Sequence, residues 1–159
     1  MMEQTGTDDK PTWPDALEAP APAAVEVLLH TFWDVLTQVG DRLVRDELLL
    51  ADEAIGELRR TVLAMMLALN GIRRPPATEH LNGYLGASQR QAMERTLSRS
   101  DPGREGMIGQ AVALVVIYRW YAPQLAARFD LAEPVAREAA VLQQLEATLF
   151  DWPAAITTD

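Results

Sequence analysis

Leu48, Ala51, Ile55, Leu58, Val62, Met65 and Leu69 follow one another at alternating steps of three and four residues. An α-helix places all seven on one face, whereas a strand, with its period of two, would scatter them over both. The first half of this segment is amphipathic. Its second half, residues 62–69, is apolar all round and has to be covered on several sides. One stretch therefore demands helices packed on helices.

The rest of the chain agrees. Val25, Leu28, Phe32, Leu36, Val39 and Leu43 repeat the pattern over residues 23–45, with Gly40 inside it as a point of bending or breaking. The second helix is expected over residues 46–69, with Asp46 and Glu47 in its first turn, where the helix dipole favours negative charge. Asn70 and Gly71 supply its stop, and Pro75-Pro76 prevents continuation. Short helices are expected near residues 79–85 and 88–97, the latter capped by Ser88. Asp101-Pro102 reads as the start of the next helix, apolar nearly all round from residue 111 to 121. Pro123 predicts a kink or break near Ala122. A last helix over residues 133–150 turns Val135, Leu142, Leu145 and Leu149 inward, and Trp152-Pro153 closes it. No alternating apolar run bounded by hairpin turns appears, so no strand is predicted.

The expectation is an all-α bundle of five or six helices with mostly antiparallel neighbours. Its domain covers residues 23–152, between a disordered acidic, Pro- and Ala-rich tail (1–22) and a short tail (153–159). The first tail holds Trp13, its one aromatic residue. At 159 residues and 48% hydrophobic content one core is feasible. Cysteine is absent, which excludes disulfides and thiolate metal sites. No apolar run approaches the ~20 residues of a membrane span. The start of the chain lacks the pattern of a signal peptide, and a cytoplasmic location is expected.

The net charge of −9 argues against general nucleic-acid binding, which rests on neutralising phosphates. The charge is unevenly spread. Residues 70–100 hold five arginines against two glutamates, a surplus of three that leaves −12 elsewhere. Arg73, Arg74, His80 and Tyr84 cluster there. They read either as a solvated polar connection or as a patch for an anionic small ligand. Tyr118, Trp120 and Tyr121 form an aromatic group farther on. Tyr118 and Tyr121, three apart, share a helix face, as core or as a pocket wall. His30 belongs to no two-histidine metal spacing. Glu53 and Glu57 stand four apart on the face opposite the apolar stripe. They are solvated charge or, in an alternative reading, Mg²⁺ ligands of an all-α nucleotide phosphohydrolase. No serine elbow, phosphate loop or dinucleotide fingerprint is present. These residues point to no catalytic group, and to no cofactor beyond Mg²⁺ in that alternative.

Two stretches carry a family resemblance. One runs from Phe32-Trp33 through Arg45-Asp46-Glu47 and Glu57-Leu58-Arg59-Arg60 to Leu67-Ala68-Leu69-Asn70-Gly71. The other runs from Tyr118-Arg119-Trp120-Tyr121 to Phe129-Asp130-Leu131. Over residues 31–131 the chain resembles the helical C-terminal domain of nucleotidyltransferases of the aminoglycoside- and lincosamide-modifying kind. That family's chemistry sits on an α/β domain with a Gly-Ser step and an Asp-x-Asp pair that holds Mg²⁺. This chain contains neither sequence. The resemblance therefore implies a non-catalytic accessory or interaction domain, the substrate-side half of such a system. It would associate with a separate catalytic chain or with a second copy of itself. A small-ligand binding module is the remaining alternative.

Overall fold

The structure, a computed structural model, describes residues 15–97 and 103–156. Five α-helices appear in it: α1 (Pro22–Val44), α2 (Leu48–Leu69), α3 (Ala87–Arg95), α4 (Arg104–Phe129) and α5 (Val135–Thr148). A 3-10 turn, Leu81–Tyr84, precedes α3. Among the described residues there is no strand, and one isolated bridge joins Glu18 to Arg73. The all-α expectation holds.

The α2 stripe does what its spacing requires. Ala51, Ile55, Leu58, Val62 and Met65 are fully or almost fully buried. α2 lies at the centre, packed most extensively on α1 and then on α4. Its all-apolar half meets both, which is why two faces are covered there. α5 closes against α1. The core between them centres on Phe32, Trp33 and Tyr118. Tyr118 stacks on Phe32 at 4.3 Å between ring centroids and meets Trp33 edge-on.

Several boundaries differ from expectation for identifiable reasons. α1 passes through Gly40 without a break. A Cβ on Gly40 would sit 2.3 Å from a Leu145 methyl, so the glycine lets α5 approach. Asp46 and Glu47 are not in the first turn of α2. Asp46 adopts a left-handed conformation (φ 58°) that ends α1. The amide of Asp46 donates to Leu43 O and that of Glu47 to Arg42 O, a Schellman closure. Gly71 (φ 83°) closes α2 in the same way, with Gly71 N–H to Ala68 O and Ile72 N–H to Leu67 O. The expected Asn70-Gly71 stop is therefore present.

Ser88 does not cap α3. Gly86 does, and the Gln89 side chain accepts the Gly86 N–H. α4 continues through Pro123 to Phe129. Pro123 lies on the exposed side, and the Gln124 amide donates to the Trp120 carbonyl beside it. Val135 is exposed rather than turned inward, because α5 begins only there and presents Val141 and Leu145 to the core, with Leu149 buried just past its end. The Asp101-Pro102 start and Trp13 lie outside the described residues. Within them, no helix is long and apolar enough to cross a membrane.

Candidate functional site

The basic segment leaves α2 at Gly71 and crosses one end of the bundle. Its course is set by an amide pair. Asn70 Nδ2 donates to the Tyr84 carbonyl (2.9 Å) and to Gln89 Oε1 (2.8 Å), and Gln89 Nε2 returns a bond to Asn70 Oδ1. Farther along, Arg59 donates to the hydroxyl and carbonyl of Thr96, tying the end of α3 to α2. Arg59 is thus committed to structure. Its neighbour Arg60 faces solvent.

Residues 15–20 lie against this segment. The Arg73 amide donates to Glu18 O at 2.7 Å, and the Arg73 guanidinium meets the Glu18 carboxylate at 3.2 Å. Asp15 Oδ2 accepts the hydroxyls of Thr78 (2.5 Å) and Tyr84 (2.6 Å). Those two bonds, with the nearby charge of His80, hold the Asp15 carboxyl below its ordinary range. Burial, reinforced by Asp15, pushes the Tyr84 phenol up. Three members of the expected cluster, Arg73, His80 and Tyr84, are therefore engaged by or beside the acidic segment.

Arg74 differs. Its guanidinium is half-buried, and among the described residues it has no hydrogen bond and no ion pair. Burial pulls its pKa down, and the positive charge of Arg60 adds to the effect. It borders two depressions. One, of about 230 Å³, runs between α1 and α2, with Ala24, Leu28, Ala64, Ala68 and Ile72 on its walls. The other, of about 220 Å³, is framed by Ala16, Glu18 and Pro75. Arg73 and Arg74 form the divide between them.

The remaining candidates lie elsewhere. Tyr118 is a core residue, 1% exposed, and its hydroxyl donates to the Leu29 carbonyl at 3.0 Å. Burial pushes its phenol far above the ordinary range. Tyr121 is also buried, with its phenol raised by burial, while Trp120 faces solvent. None of the three aromatic candidates lines the depressions beside Arg74, and two of them are packing. Glu53 and Glu57 are exposed on α2. Among the described residues, no group of three or more His, Cys, Asp or Glu side chains is arranged to hold a metal ion. His30 is exposed on α1.

Sequence reasoning missed the apolar half of the cleft. Ala24, Ala64 and Ala68 read as ordinary helix residues. Their signal is smallness: Ala64 and Ala68 are one turn apart on α2, and small side chains on facing helices leave space between the backbones.

No protein-family model matches the chain, and no curated protein matches it. Among solved structures it is similar to an aminoglycoside 6-adenyltransferase from Bacillus subtilis, with a TM-score of 0.71 and 19% sequence identity. The match covers 83% of this chain and 52% of that one, so the chain spans about half the length of that protein. At this identity the likeness establishes a shared fold. The matched protein is an adenyltransferase and so of the nucleotidyltransferase kind, the kind that residues 31–131 resemble in sequence.

Proposed function

We propose that this chain is a helical accessory domain of the nucleotidyltransferase kind, without catalytic groups of its own. It works in the cytoplasm by associating with a separate catalytic chain or with a second copy of itself. The observation that carries this reading is the shared fold. Most of this chain superimposes on about half of an adenyltransferase, and the nucleotide chemistry resembled in sequence belongs to an α/β part for which this chain has neither the Gly-Ser step nor the Asp-x-Asp pair. In such a pairing the helical half shapes and orients what the catalytic half transforms, a contribution made through positioning.

The phosphohydrolase alternative requires carboxylates from two helices to converge on Mg²⁺. The exposed Glu53 and Glu57 have no such group with them among the described residues, so geometry supports the accessory reading better.

Isolation of the tagged chain from its native cells at low salt, followed by an assay for nucleotidyl transfer, tests the proposal. The expected result is a complex that contains a nucleotidyltransferase catalytic chain, or a self-associated form that activates one. Transfer then declines when this chain is removed. A strictly monomeric chain with no effect on any such activity would contradict it.

A further inference from the structure

We infer that the cleft between α1, α2 and residues 72–74 is a binding site for a small organic oxyanion, a carboxylate or a phosphate monoester on a compact apolar body. Arg74 takes the anion, Arg60 adds charge at the cleft's outer end, and the alanine-lined walls take the body.

The first support is the unpaired cation. Several arginines of this protein are ion-paired, Arg73 with Glu18, Arg104 with Asp151, Arg119 with Glu138 and Arg137 with Asp34. Among the described residues Arg74 has no such partner, although it is half-buried in a chain of net charge −9. Withdrawing a guanidinium from water without an anion is unfavourable, and Arg60 makes it more so. An oxyanion bound in the fork of Arg74 reverses both terms, and the planar guanidinium offers two parallel donors to carboxylate or phosphate oxygens.

The second support is the shape and lining of the cleft. Ala24, Leu28, Ala64, Ala68 and Ile72 give it apolar walls. An apolar cavity of about 150 Å³ accepts benzene, so about 230 Å³ accommodates a single ring with one charged substituent. Arg60 precedes Ala64 by one helical turn and so stands on the same side of α2. Arg73 also borders the cleft but is paired with Glu18, and apolar walls with few convergent charged groups are the usual make-up of a small-molecule site. The same charges disfavour a polycation such as an aminoglycoside.

This inference stands apart from the accessory-domain reading: a chain with no catalytic partner would still bind. Titration of the purified chain with phenyl phosphate, benzoate and inorganic phosphate tests it, followed by calorimetry and by amide chemical shifts. A ligand of about ten heavy atoms is expected to bind with Kd on the order of 1 mM. Shifts should concentrate in residues 24–28, 64–68 and 72–74. A preference for phenyl phosphate assigns the anion as phosphate, and a preference for benzoate as carboxylate. Arg74→Gln should weaken either by about tenfold or more. Ala64→Leu, which fills the apolar part, should weaken both organic anions while leaving the weaker binding of inorganic phosphate unchanged. Failure of both organic anions to bind would overturn the inference. So would inorganic phosphate binding as tightly as phenyl phosphate, or affinity unchanged in a folded Arg74→Gln protein.

Discussion

Gly40 and Arg104 show how single residues set the packing of whole helices. Gly40 is the point where α5 lies closest to α1, with a Leu145 methyl in the space a Cβ would need. Alanine there gains about 1 kcal/mol of helix propensity but overpacks a buried contact at a cost of about 1–3 kcal/mol. Gly40→Ala should therefore destabilise the protein by about 1 kcal/mol in urea unfolding. In a Leu145→Ala background the same change should become neutral or stabilising. Arg104 joins three elements: it donates to the Leu43 carbonyl at the end of α1 and, twice, to the Asp151 carboxylate beyond α5. Both side chains are about a quarter exposed, at 26% and 27%, so solvent screens part of the interaction. Arg104→Ala is expected to cost about 1–2 kcal/mol. The Arg104 guanidinium holds the Asp151 carboxyl below its ordinary value. The pair's contribution is thus complete above the unfolded carboxyl's pKa of ~3.9 and is lost as pH falls through the lower folded value. Unfolding curves at pH 7 and pH 3 should show the deficit of Arg104→Ala shrinking at the lower pH.

Three of the helices end in one way, with a left-handed residue just past the last turn: Asp46 after α1, Gly71 after α2 and Asp130 after α4. Only Gly71 was legible in the sequence, because glycine and asparagine announce that conformation and aspartate usually announces a helix start. Asp46 was assigned to the opening of α2 for that reason. Asp46→Gly should raise stability by about 0.5–1 kcal/mol in a thermal or urea measurement, since it relieves the Cβ of a strained conformation. Pro123 misled in the opposite direction. A proline predicts a break, but on the exposed face of α4 the packed sides of the helix continue past it.

The segment at residues 15–20 could not be read as a docked element. Its partners lie far along the chain, 55 residues away for Glu18–Arg73 and 69 for Asp15–Tyr84. Local patterning carries no trace of such pairings, and it left Arg73, His80 and Tyr84 looking free. The lowered Asp15 carboxyl fixes the sign of its pH dependence. The tether holds at neutral pH and releases as pH falls below the ordinary carboxylate range. Asp15→Asn should release it at neutral pH, seen as faster exchange of the Arg73 amide proton, which is bonded to Glu18 O.

At the scale of the molecule, the helical periodicity of α2 was enough to predict an all-α bundle, because residues 62–69 have no polar face to leave in water. The same periodicity could not say which helices leave a gap. The cleft beside Arg74 arises where Ala24, Ala64 and Ala68 are too small to fill the space between α1 and α2, a property of two helices together. Function was legible only as resemblance. The adenyltransferase likeness agrees with it in fold, while the Gly-Ser step and the Asp-x-Asp pair of the resembled family do not occur in this sequence.

Incubation of the purified chain with Mg²⁺ and a labelled nucleoside triphosphate, with and without an aminoglycoside, addresses the central claim most directly. The account predicts no turnover and no labelled acceptor from the chain alone, and the same null result for Glu57→Ala. Steady hydrolysis by the wild-type chain that disappears in Glu57→Ala would contradict it.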